Sequence, residues 1–90
     1  MVCSAIHIII YGKVQGVSFR ASTQNKASEL SIKGWVRNLP NGTVEVHAEG
    51  NCENLAKFIK WCRKGPSFAK VSKCDLNWII PDKINNFKIL

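Results

Sequence analysis

The segment Leu39-Pro40-Asn41-Gly42-Thr43 reverses the chain close to its middle. Asn and Gly both tolerate positive φ, so Asn41-Gly42 between two extended runs marks a hairpin. The flanking runs alternate with a period of two. Before the turn, Trp35, Arg37 and Leu39 share one phase, and Gly34, Val36 and Asn38 share the other. After it, Val44, Val46 and Ala48 face inward, with Glu45, His47 and Glu49 outward. An antiparallel pair is therefore expected on either side of this turn.

Ahead of the hairpin, Ile6, Ile8 and Ile10 alternate with His7, Ile9 and Tyr11, which predicts a first strand. His7 reads as a strand histidine, satisfied or exposed. Gly12 and Gly16 bracket a tight loop. A helix is expected from Phe19 or Ala21 to Ser31, with Phe19, Thr23, Ala27 and Leu30 on one face. Beyond the hairpin, Leu55, Phe58, Ile59 and Cys62 recur at i, i+3, i+4 and i+7, predicting a core-facing helix over 52–63 with Asn51 as its N-cap. Gly65-Pro66 stops it. Lys70 to Ile80 is extended, with Cys74, Leu76, Trp78 and Ile80 on one phase and Val71 on the other. A bulge would reconcile Val71 with Cys74. Pro81 to Asn86 is a loop, and Phe87 to Leu90 forms a short last strand. The order is that of an α+β, ferredoxin-like βαββαβ sandwich: a mainly antiparallel sheet with two helices on one face, as a single domain over 1–90.

Thirteen Lys and Arg against six Asp and Glu give a net charge of +7, which favours an anionic partner. The charges are dispersed. The densest cluster, Lys57, Lys60, Arg63 and Lys64, has the spacing of a solvated helix face, and no nucleic-acid partner is expected. The apolar run Ile6 to Ile10 is too short for a signal peptide or a membrane span. The four cysteines, at 3, 52, 62 and 74, form no C-x-x-C pair and no metal-ligand spacing with His7 or His47. They read as small apolar residues of a reducing, cytoplasmic protein, with a Cys3–Cys52 disulfide as the alternative.

Familiar catalytic layouts are missing: no G-x-S-x-G elbow, no H-E-x-x-H and no Walker A loop. Glu29, Glu45, Glu49, Glu53, Asp75 and Asp82 are scattered and read as surface carboxylates. What is left is Gln15-Gly16-Val17-Ser18-Phe19-Arg20, a loop that joins a strand to a helix N-terminus. Successive backbone N–H groups there can converge on an anion, the helix start adds unpaired donors, and Arg20 offers a planar fork suited to phosphate oxygens. Taken alone, this is an anion site or a structural glycine loop with a solvent-facing arginine.

Gly12-Lys13-Val14-Gln15-Gly16-Val17-Ser18-Phe19-Arg20 resembles the first signature of the acylphosphatase family, G-x-V-Q-G-V-x-F-R. Gly34-Trp35-Val36-Arg37-Asn38 through Gly42-Thr43-Val44-Glu45 resembles its second, G-W-V-[KR]-N-x-x-x-G-[ST]-V-E. Gly65-Pro66 with Ala69-Lys70-Val71 resembles a weaker third block, and Phe87-Lys88-Ile89 its F-x-I ending. The similarity spans essentially the whole chain. It implies the same ferredoxin-like plan and the hydrolysis of acyl phosphates to carboxylate and inorganic phosphate. By the same resemblance, Arg20 and the main-chain amides of Gln15, Gly16, Val17, Ser18, Phe19 and Arg20 bind the phosphoryl group. Asn38 orients the attacking water. Neither metal nor cofactor is implied, and the partner is a small-molecule acyl phosphate acted on by a monomer. For Asn38 to reach the loop, its strand is expected beside the first strand. Two departures stand out: Ser18, where Gly or Cys is common, and Ala21 to Thr23, which lack an aromatic many relatives carry. The rival readings are a phosphate- or nucleic-acid-binding module without turnover, and a regulatory or carrier domain. The first lacks an RNP-type aromatic pattern. Against the second, a freestanding enzyme is expected.

Overall fold

A computed structural model describes residues 3–90. The elements follow in the order β1 (Ser4–Lys13), α1 (Phe19–Glu29), β2 (Lys33–Asn38), β3 (Val44–Gly50), α2 (Cys52–Lys64), β4 (Lys70–Ile79) and β5 (Phe87–Ile89). The strands form one sheet ordered β4-β1-β3-β2-β5. The first four pair antiparallel, and β5 joins β2 in parallel. Both helices pack on one face, α1 over β2 and β5 and α2 over β1, β3 and β4, giving the expected ferredoxin-like sandwich.

The core is the apolar phase of each strand set against the two helix stripes. Ile6, Ile8 and Ile10 of β1, Val36 of β2 and Val44, Val46 and Ala48 of β3 are buried against Leu55, Phe58 and Cys62 of α2 and Phe19 and Ala27 of α1. The Asn51 side chain caps α2 by accepting the Asn54 N–H at 2.8 Å. The weaker stripe of α1 buries a polar residue, Thr23, whose hydroxyl is satisfied by the Phe19 carbonyl at 2.7 Å. This helix stops at Glu29 rather than Ser31, because Ser31 turns left-handed with φ 55°. The hairpin closes as the sequence implies: Leu39 N–H donates to the Thr43 carbonyl at 2.9 Å, and Gly42 N–H to Leu39 at 3.1 Å. The bulge exists too. Tyr11 pairs with Lys73 and Gly12 with Val71, which leaves Ser72 unpaired and lets Val71 and Cys74 both pack on the core.

Three expectations are corrected. The strand carrying Asn38 does not lie beside β1, because β3 stands between them. His47 and Glu49 face away from the helices but are not exposed, at 4% and 2% accessibility, so Glu49 is no surface carboxylate. The cause is the 80–86 segment, which runs from the β4 edge to the β5 edge past the start of β2. Both Glu49 oxygens accept backbone N–H groups from this strap, from Asp82 at 2.7 Å and Ile84 at 3.1 Å. Lastly, of the four cysteines, which are all free, only Cys62 is fully buried; Cys74 is half-buried, and Cys3 and Cys52 are exposed.

Candidate active site

The segment 14–18 leaves the end of β1 and turns into α1 through two left-handed residues, Gly16 at φ 74° and Ser18 at φ 61°. The Ser18 carbonyl opens the helix by accepting Ser22 N–H at 3.0 Å, and its hydroxyl caps nothing. No acidic residue occupies the first turn. Among the described residues, no backbone N–H from 15 to 20 donates to a backbone carbonyl outside the regular elements. The start of α1 thus presents unpaired donors and the positive end of its dipole. Arg20 is half-buried and makes no ion pair among the described residues, so its guanidinium is available to an anion.

Asn38 reaches this loop although β3 separates its strand from β1. Strands β1 and β2 are each antiparallel to β3, so both end on the same side of the sheet. Gln15 then bridges the gap. Its side-chain amide donates to the Leu39 carbonyl at 2.8 Å and the Thr43 carbonyl at 2.9 Å, tying the loop to the hairpin just beyond Asn38. The result is a cleft of about 190 Å³ with Val14 and Phe19 at its base. Gly16, Ser18 and Arg20 line it from the loop, Asn38 from β2, and Ala21 and Ile89 complete the wall. Gln15 and Val17 do not line it. Asn38 Oδ1 is buried with no hydrogen-bond partner. A buried acceptor left unpaired costs about 1–3 kcal/mol.

Arg20 and Asn38 line the same cleft; the resemblance assigned Gln15 only a main-chain role and Ile89 none. The Gln15 side-chain bridge depends on two carbonyls in a hairpin 24 and 28 residues away, and no local pattern announces it. Trp35 does not back the cleft. It lies on the opposite sheet face, stacked on His47 with ring centroids 5.7 Å apart and covered by the Arg37 guanidinium.

A potential metal-ligating group that the spacing did not suggest lies far from the cleft. His47, Glu49 and Asp82 bring donor atoms within 4.8 Å of one another. Glu49 pairs with Ala5 near the start of β1, whereas the loop follows its end. His47 Nε2 and Glu49 Oε2 are already 2.6 Å apart, and both Glu49 oxygens hold strap amides. Burial opposes ionisation of Glu49, but the bonds from His47, Asp82 and Ile84 outweigh it and hold its carboxyl below the ordinary value. This group anchors the strap.

A family model described as acylphosphatase matches residues 6–89. The acylphosphatase of Thermococcus kodakarensis is 44% identical over 84 residues, covering 93% of this chain and 92% of that protein. That of Methylococcus capsulatus is 51% identical over 71 residues, or 79% and 77% of the two chains. The structure of an acylphosphatase from Coxiella burnetii superposes with a TM-score of 0.94 at 38% identity, over 98% of this chain and 93% of that one. With the family model spanning nearly all of the sequence and the cleft built from its two signature segments, the chain belongs to the acylphosphatase family.

Proposed function

We propose that the chain hydrolyses acyl phosphates in the cleft between the 14–20 loop and Asn38, and that it does so without metal or cofactor. The observation that carries the reading is one cleft lined by Asn38, whose buried Oδ1 has no partner, by an unpaired arginine and by the free donors of a helix start. The phosphoryl oxygens take the Arg20 guanidinium and the amides of Gly16, Ser18, Phe19 and Arg20, the residues of the 15–20 loop that line the cleft. Asn38 Oδ1 accepts a hydrogen bond from a water and aims its lone pair at phosphorus. The new bond joins water oxygen to phosphorus as the phosphorus–carboxylate oxygen bond breaks. The carboxylate leaves with the bonding pair, and the water's proton passes to a phosphate oxygen. A carboxylate leaves readily, so no strong general acid is needed. Charge on the equatorial oxygens is stabilised by Arg20 and the loop amides. The partner is a small acyl phosphate, met by a single monomeric domain in the cytoplasm. Among the described residues no helix is long and apolar enough to cross a membrane.

Hydrolysis in ¹⁸O-labelled water tests the chemistry. Attack at phosphorus places one label in inorganic phosphate and none in the carboxylate. Label in the carboxylate would mean attack at the acyl carbon and would remove the role given to Asn38.

A further inference from the structure

Phe68 is 80% exposed, on the 65–69 turn between α2 and β4, and no contact in the fold accounts for it. The turn is closed: Ala69 N–H donates to the Pro66 carbonyl at 3.0 Å, which puts Ser67 and Phe68 at its tip. It is also fixed against the phosphate loop from two sides. Gly65, at φ 73°, lies so close to the Phe19 ring that a Cβ there would come within 2.6 Å of it. Lys70, two residues past Phe68, pairs with Lys13 at the end of β1, where Gly12 admits the Lys70 carbonyl only because it has no side chain.

The sheet order then sets direction. Asn38 ends β2, on one side of β1, and the 65–69 turn leads into β4, on the other. The 14–20 loop lies between. In-line displacement puts nucleophile and leaving group on opposite sides of phosphorus. With water held at Asn38 and the phosphoryl group in the loop, the departing carboxylate points toward the 65–69 turn. The cleft is also small beside the roughly 300–1,000 Å³ of ordinary ligand pockets, and Phe68 does not line it, so the ring meets only the part of an acyl group that projects past the rim.

We propose that Phe68 is a specificity residue for the acyl group, its exposed ring receiving aromatic or bulky aliphatic acyl chains that emerge from the cleft on the β4 side. This rests on the reaction assigned above. Phe68 touches neither phosphorus nor the attacking water, so its contribution is to substrate affinity and not to turnover.

The test compares benzoyl phosphate with acetyl phosphate for the parent, Phe68→Ala and Phe68→Leu. The side chain is exposed, so all three proteins should fold alike, as checked by thermal melting. Phe68→Ala is expected to raise KM for benzoyl phosphate by about two- to tenfold, the worth of one aromatic contact, with kcat unchanged. Acetyl phosphate kinetics should not move, and Phe68→Leu should fall between. Equal changes for both substrates, or none for benzoyl phosphate, would overturn the proposal. A parent that hydrolyses neither substrate would instead refute the underlying reaction.

Discussion

The roles proposed for Asn38 and Arg20 differ, and substitution should separate them. Removing the guanidinium takes away the cleft's one side-chain charge, so Arg20→Ala is expected to lose phosphate binding by calorimetry together with turnover. Asn38→Ala leaves the anion donors intact and removes only the water's acceptor. It should bind phosphate like the parent while kcat falls about 10²-fold or more, the scale of one lost transition-state hydrogen-bonding group. Parent-like turnover in Asn38→Ala would end the water-orienting role. Gln15 acts one step away. Its amide holds the loop to the hairpin through two hydrogen bonds, so Gln15→Ala should cost about 1–3 kcal/mol in urea unfolding, with kcat lowered further than phosphate affinity. Arg20 and Asn38 were legible as site candidates because each lies in a contiguous signature and carries chemistry fixed by its residue type. The Gln15 bridge was not, because its partners are backbone carbonyls brought near only by the folded hairpin.

At the level of elements, the 80–86 strap is held by one buried carboxylate. Glu49 has its pKa held below the ordinary value, as does Glu45, where burial is outweighed by His7 and Arg37. A depressed carboxyl contributes stability that is complete above its unfolded pKa, near 4.5, and is lost as pH falls through the lower folded value. Stability should therefore hold from neutrality to about pH 5 and decline below pH 4.5. Glu49→Gln should flatten that decline and lower stability at pH 7 by about 1–3 kcal/mol, measured by urea unfolding across pH. An unchanged acid profile in Glu49→Gln would remove Glu49 from the strap's support. The hairpin, α2 and the bulge were legible because each is decided locally, by Asn41-Gly42, by the 55–62 stripe and by the phase change between Val71 and Cys74. The position of β2 was not, since strand order depends on crossovers and not on periodicity. Nor was the burial of Glu49, whose alternation correctly gave its face. The strap, from the far end of the chain, closes over Glu49 there.

Across the whole molecule, the thiols report how the core opens. Cys62 is fully buried, and burial pushes its thiol well up, so it stays protonated; burial also raises Cys74. A maleimide should label Cys3 and Cys52 quickly in the native protein, Cys74 slowly, and Cys62 only at the rate of global unfolding, as resolved by mass spectrometry. Fast labelling of Cys62 would mean that the core opens locally. Acyl phosphate hydrolysis by protein groups alone, proposed for the cleft between the 14–20 loop and Asn38, is tested by benzoyl phosphate turnover in excess EDTA by the parent and by Arg20→Ala. Sustained turnover by the parent and its loss in the variant are expected; turnover abolished by EDTA, or surviving the substitution, would rule the proposal out.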